Sequence, residues 1–322
     1  MLKWLQISTQ WQKHSVSDID QYIHAATREN TRRSYQSAIR HYEVSWGGLL
    51  PATSDDIARY LSDHAKTLSV STLKQRTSAI GQWHVEQGFP DPTKTSFVRK
   101  VLKGIRELHP QTTKKAKPLQ LEELSKVINY LDNEIAHGLN NASRTLLRNY
   151  RDKALILIGF WRGFRSEELC RLSAEFIEVV PDGLDIFLPR SKGDRSSIGR
   201  HYYTPSLKQL CPTTAYLDWL AISKIKKGPV FKGINQWGRL SENSLHPNSI
   251  IPLIRRLLEK SSIDDFEQYS SHSLRRGFAS WATDNQWDLS SLMEYVGWKD
   301  PKSALEYIEM RKQNRHFGEL SS

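Results

Sequence analysis

Four short stretches of this chain carry residue types that suit chemistry on a phosphate diester. Gly163-Phe164-Arg165-Ser166-Glu167-Glu168-Leu169 follows an apolar run and sets Arg165 at a helix break, with Glu168 one turn further on to hold it. A plain surface ion pair would show the same pattern. Lys192 sits in the polar turn Ser191-Lys192-Gly193-Asp194, between two strand-like runs. A lysine on such a tip can reach a phosphate and pass a proton to a leaving oxygen, although turn lysines ordinarily only solubilise. His272-Ser273-Leu274-Arg275 spaces an imidazole and a guanidinium for one helix face. Further on, Gly297-Trp298 ends an amphipathic run and Asp300-Pro301 opens a helix that carries Tyr307 at the border of its apolar face. A tyrosine there packs by default; as a nucleophile it needs cationic neighbours.

Metal-free phosphoryl transfer needs the kinds of group these stretches supply. The non-bridging oxygens must be neutralised, something must attack, and the leaving alkoxide must be protonated. Arginine suits the first task, because its planar fork meets phosphate oxygens in pairs and stays charged. The sequence holds no GxxxxGK[ST] loop, no GxGxxG after a strand, no HExxH, and no dense Asp/Glu cluster of the two-metal kind. No metal, nucleoside triphosphate or other cofactor is therefore expected.

The charge balance names the partner class. Forty-six Lys+Arg against 35 Asp+Glu leave +11 over 322 residues, which favours a polyanion, nucleic acid before an anionic membrane. Hydrophobic residues at 38% and charged residues at 25% describe a globular chain long enough for two domains. No apolar run reaches membrane-spanning length, and Met1–Trp11 does not read as a secretory leader. Cys170 and Cys211 form no CxxC pair, so neither a disulfide framework nor a cysteine zinc site is expected, and a reduced cytoplasmic setting fits.

The elements that must position these residues are mostly helical. Asp18–Thr27, Thr31–Trp46, a helix capped by Ser54, Ser71–Gln87 and the stripe Phe97, Val98, Val101, Leu102 and Ile105 predict a small all-α module over 1–108. Arg32, Arg33, Lys74, Arg76, Lys100 and Lys103 are its candidate phosphate contacts. Residues 109–118 hold Lys114, Lys115 and Lys117 between two prolines and read as a basic linker that can track a phosphate backbone. In 119–322, Gln120–Leu131 and Asn149–Arg162 predict helices, the second buried. Phe176–Val180, Leu184–Pro189 and Arg200–Pro205 predict a small antiparallel sheet. Helices resume over Thr213–Ile225, Pro247–Lys260, Ser273–Thr283 (with Ser271 as cap), Leu289–Val296 and Pro301–Met310. The expected class is mainly α with one small antiparallel β-sheet.

The order GFR-x-x-E-L, a lysine in a strand turn, H-x-x-R, G-W and a tyrosine nine residues past that tryptophan resembles the tyrosine recombinase/integrase family. The resemblance spans nearly the whole chain. It implies a SAM-like core-binding domain at 1–108 and a catalytic domain with a C-terminal tail at 119–322, closing as a clamp around duplex DNA. It implies that Arg165 and Arg275 clamp the scissile phosphate, that Glu168 braces Arg165, and that Lys192 is the acid for the 5′-oxygen. His272 would assist as acid/base, Trp298 would donate to a phosphate oxygen, and Tyr307 would form a 3′-phosphotyrosyl bond. Most members have histidine where Trp298 stands, and tryptophan is the variant of the Cre-like branch. The resemblance further implies a homotetramer on paired DNA sites from free monomers or dimers, a tail that docks on a neighbour, a nucleoid-associated location, possible accessory directionality factors, and no ATP, because the ester stores the cleaved bond's free energy. Two rivals stand beside it: a type IB topoisomerase, which shares this chemistry, and a catalytically silent DNA-binding protein on the same fold. An RNA-binding helical protein is the bland alternative.

Overall fold

A computed structural model describes residues 21–22, 26–27, 29–110, 115–141, 143–189, 198–298, 300–301 and 305. The chain divides into two compact units, Met1–Lys114 and Lys115–Ser322. Lys114, Lys192 and Tyr307 lie outside the described residues, as do most of the helices expected over 18–27 and 301–310.

In the first unit, helices α1 (Glu29–Arg40), α2 (Ser54–Asp63), α3 (Val70–Glu86) and α4 (Ser96–Leu108) enclose Tyr42, Ile57, Tyr60, Leu61, Leu73 and Val98. Each of the last three starts at a hydroxyl cap. Thr53, rather than the expected Ser54, caps α2: its side chain accepts from Asp56 N–H (3.2 Å), while the Asp56 carboxylate accepts from Thr53 N–H (3.0 Å). Ser69 and Thr95 cap α3 and α4. On α4, Val98 and Ile105 are buried, but Phe97 turns outward at 47% exposure, so the apolar stripe is narrower than its spacing predicts.

The second unit is built on α6 (Leu146–Arg162), which packs against α5 (Leu121–Asn141), α8 (Pro212–Ser223), α10 (Ser271–Asp284) and strand β3 (Arg200–Pro205). With partners on so many sides, Ala154–Arg162 is buried throughout. Helix α7 (Ser166–Cys170) follows directly, and α9 (Ile250–Lys260) and α11 (Leu289–Val296) complete the helical layer. β1 (Ile177–Val180), β2 (Gly183–Leu188) and β3 form the predicted antiparallel sheet, in order β1-β2-β3. Its register pairs Leu184 with Thr204 and Ile186 with Tyr202, which places these four on the face against the helices.

Several expectations need correcting. Helix α5 runs ten residues past Leu131, to Asn141. A second hairpin, β4 (Lys232–Ile234) with β5 (Leu240–Ser244), was not foreseen; its strands are short and half-exposed, with little alternation to betray them. Ser270, not Ser271, caps α10, accepting from His272 N–H (3.2 Å). Within the expected linker, Lys117 N–H donates to the Gln268 carbonyl (3.0 Å), a contact inside the second unit. No helix among the described residues is long and apolar enough to cross a membrane.

Candidate active site

The site forms where α6 ends. Gly163 stops this helix in a left-handed conformation (φ 61°), which a residue with a side chain rarely adopts, and turns the chain into Phe164 and Arg165. Arg165 then precedes α7, and Glu168 in the first turn of α7 holds it twice. One carboxylate oxygen accepts from the Arg165 backbone N–H (2.8 Å) and the other from Nη1 (2.8 Å). Glu168 is buried, while the Arg165 side chain keeps 28% of its surface exposed. The guanidinium is therefore oriented from below and open above.

Arg275 comes to the same turn from α10. Its Nη1 donates to the Gly163 carbonyl (2.7 Å), 112 residues away in sequence, and its Nη2 is buried with no acceptor among the described residues. The guanidinium carbon stands 5.2 Å from the centre of the Trp298 ring, just beyond α11. Burial first, and the Arg165 charge second, push the Arg275 pKa down to about 9, while Glu168 opposes them. The group stays cationic near neutrality but lacks an anion of its own. Two guanidinium groups are thus brought to one turn with a carboxylate bonded to only one of them, an arrangement whose chemistry suits the oxygens of a phosphate.

His272 lies in the first turn of α10 and is exposed, while Arg275, one turn on, is buried. The pairing read from H-x-x-R spacing thus joins one exposed and one buried group. Glu168, Arg165, Arg275 and Trp298 are brought together; Lys192 belongs to the β2–β3 connection and Tyr307 to the segment after Trp298, both outside the described residues.

Three further groups were missed by spacing alone. Arg162 is buried between the rings of Tyr295 (3.9 Å to the centroid) and Tyr202 (4.8 Å). Arg200 lies over the Tyr202 ring (5.5 Å to the centroid) and donates to the Glu294 carbonyl (2.9 Å). The only hint in the sequence was a charged residue closing an otherwise apolar helix. Tyr295 donates its phenol to the Trp161 carbonyl (2.9 Å), and burial raises its pKa.

Candidate DNA-contact residues fall into two groups. Lys74, Lys100 and Lys103 are exposed, with no ion pair among the described residues; Lys115 is exposed as well. Arg32 and Arg33 are held by Glu29, Arg76 donates to the Tyr60 phenol (3.2 Å), and Lys117 pairs with Glu123 (3.7 Å) over the Tyr269 ring.

A helical unit joined to an α+β unit, with two arginines converging at a helix break, defines a class of phosphate-handling enzyme. Residues 129–314 match the model of the phage integrase family. The chain is 30% identical over 265 residues to an integrase/recombinase described as a XerD homolog from Selenomonas ruminantium, covering 81% of this chain and 74% of that protein. It is 23% identical over 274 residues to the Cre recombinase of Escherichia phage P1, covering 80% and 76%. Its fold resembles a XerH site-specific recombinase solved with palindromic difH substrate in a post-cleavage complex, with a TM-score of 0.61 and 20% identity, over 90% of this chain and 78% of that one. This chain belongs to the phage integrase family, the tyrosine recombinases.

Proposed function

We propose that this site-specific DNA recombinase cleaves and rejoins duplex DNA with Arg165 and Arg275 as the phosphate clamp and Tyr307 as the nucleophile. The observation that carries the reading is the convergence of Arg275 on the Gly163 carbonyl beside a Glu168-braced Arg165. The two guanidiniums bind the non-bridging oxygens and stabilise the charge that builds as the phenol attacks. Lys192 protonates the leaving 5′-oxygen, with His272 assisting as acid/base. Trp298 packs against Arg275 and donates its indole N–H to a phosphate oxygen. The products are a 3′-phosphotyrosyl ester and a free 5′-hydroxyl, and attack of a second 5′-hydroxyl on that ester rejoins the strand. In this reading the ester conserves the bond's free energy, so neither ATP nor a metal enters the cycle. Trp298, where most members have histidine, is what supports a reading near the Cre-like branch.

The first unit and residues 115–117 supply phosphate contacts, and four copies assemble on two paired sites, with the segment after Tyr307 linking neighbours. Accessory factors set direction where the paired sites differ. The protein works in the cytoplasm on nucleoid DNA.

The test is covalent trapping on a nicked suicide duplex. Wild-type protein should give a denaturant-resistant adduct, and Tyr307→Phe should abolish it while binding DNA within about twofold of wild type. An adduct that persists in Tyr307→Phe overturns the assignment. Tyr295, the nearest rival in sequence, has its phenol committed to the Trp161 carbonyl and held above its ordinary pKa by burial, which disfavours it as the attacking group.

A further inference from the structure

Arg162 is the most deeply buried guanidinium near the site, with 4% of its surface exposed. Its Nε and Nη1 are buried without an acceptor among the described residues, and the groups that act on its charge are the neutral phenols of Tyr295, which is also its hydrogen-bond partner, and Tyr202, together with a second cation, Arg200. What faces it instead is a stack of rings and cations. Arg200 lies over Tyr202, Tyr202 over Arg162, Arg162 over Tyr295, and Tyr295 over Phe278 (5.0 Å between centroids, planes 23° apart). Ring faces attract a cation, but they return only part of the hydration that a guanidinium loses on burial. Among the described residues this positive charge is therefore incompletely compensated.

Its position gives that charge a use. Arg162 immediately precedes Gly163, whose carbonyl receives Arg275, and its partner Tyr295 adjoins Val296, which lies against the same glycine. The Arg162 charge reaches Arg275, where it helps hold that group's pKa down, after burial and Arg165.

We propose that Arg162 is an electrostatic positioning residue for the scissile phosphate, a third cation that never touches the DNA but whose charge is balanced only when the phosphate enters between Arg165 and Arg275. The proposal rests on the phosphate-clamp reading above. It explains why an uncompensated charge is kept in the interior, where an apolar side chain would pack at lower cost. It also explains the stack, which holds the charge beside the clamp by joining β3 to α11.

The test compares two suicide duplexes, one with the ordinary scissile phosphodiester and one with a neutral methylphosphonate at that linkage. Arg162→Gln keeps a planar hydrogen-bonding group and removes the charge; Arg162→Met removes both. On the phosphodiester each variant should form adduct on the order of ten- to a hundredfold more slowly than wild type. On the methylphosphonate, where no negative charge remains to be balanced, wild type and variants should agree within about threefold. The Tm of Arg162→Met should be no lower than wild type, because a buried cation has been removed. Equal slowing on both substrates, or failure of both variants to fold, overturns the proposal and leaves Arg162 a packing residue. Arg275→Ala, run alongside, separates the two claims. If it too is slowed equally on both duplexes, the clamp reading fails; if it recovers on the methylphosphonate while Arg162→Gln does not, only the Arg162 proposal fails.

Discussion

Glu168 grips Arg165 through both its backbone and its side chain, so its contribution is orientation rather than charge. A guanidinium fixed in this way meets a phosphate without reorganising, and such preorganisation is where a rate advantage comes from. Glu168→Gln keeps the size of the side chain and one acceptor oxygen, but it loosens the grip and removes the only carboxylate Arg165 has among the described residues. Single-turnover adduct formation should fall about ten- to a hundredfold, while the affinity for duplex DNA, measured by fluorescence anisotropy, stays near wild type because Arg165 keeps its charge. Equal losses in affinity and rate would show that Glu168 only supports the fold. Arg275 is held differently: its Gly163 contact satisfies one N–H, and its buried Nη2 has no acceptor among the described residues.

At the scale of elements, the site depends on how closely α10 approaches the chain entering the second unit. Leu119 N–H donates to the Ser273 carbonyl (3.0 Å), and a Cβ added at Gly277 would sit 1.9 Å from the Leu119 carbonyl oxygen. No rotamer change relieves a clash with backbone, so Gly277→Ala must push α10 away from Leu119. The cost should be about 1–3 kcal/mol, read as a lower midpoint in denaturant unfolding. Cleavage should fall as well, since Arg275 is two residues earlier on that helix. Unchanged unfolding with full activity would mean that α10 is not seated as described. Periodicity made most of these elements legible. Leu289–Val296 was placed correctly because an amphipathic run met Gly297, and the three-stranded sheet because β-rich runs alternated with polar turns. Caps were read one residue late at Thr53 and Ser270, because hydroxyl residues stand side by side there and only the hydrogen bond selects one. The β4–β5 hairpin escaped notice because Lys232–Ile234 and Leu240–Ser244 are half-exposed, with a register shift, and present no clean alternation. The ring stack was invisible for a different reason. Arg162, Tyr202 and Tyr295 come from three elements, and nothing local marks them as partners.

Across the whole molecule, the +11 charge favours a polyanion, but its cations are not equivalent. A lysine that is free in the unbound protein contributes its full counterion-release effect on meeting a phosphate, whereas one already paired must first give up its partner. Lys100 and Lys103 are exposed on α4, opposite buried Val98 and Ile105, with no ion pair among the described residues. Lys117 is tied to Glu123 and the Tyr269 ring. If α4 presents this face to DNA, Lys100→Gln with Lys103→Gln should flatten the plot of log affinity against log salt by about 0.9 per lysine, measured between roughly 50 and 200 mM. Lys117→Gln should flatten it by less than half of that per charge, because Lys117 is already neutralised by Glu123, whose carboxylate keeps its bonds from the Tyr269 phenol and the Gln120 N–H when the lysine is gone. A double variant that leaves the slope untouched would remove the outer face of α4 from the DNA interface. A Lys117 effect as large as that of Lys100 or Lys103 would mean that the Glu123 pair opens at no cost when DNA arrives.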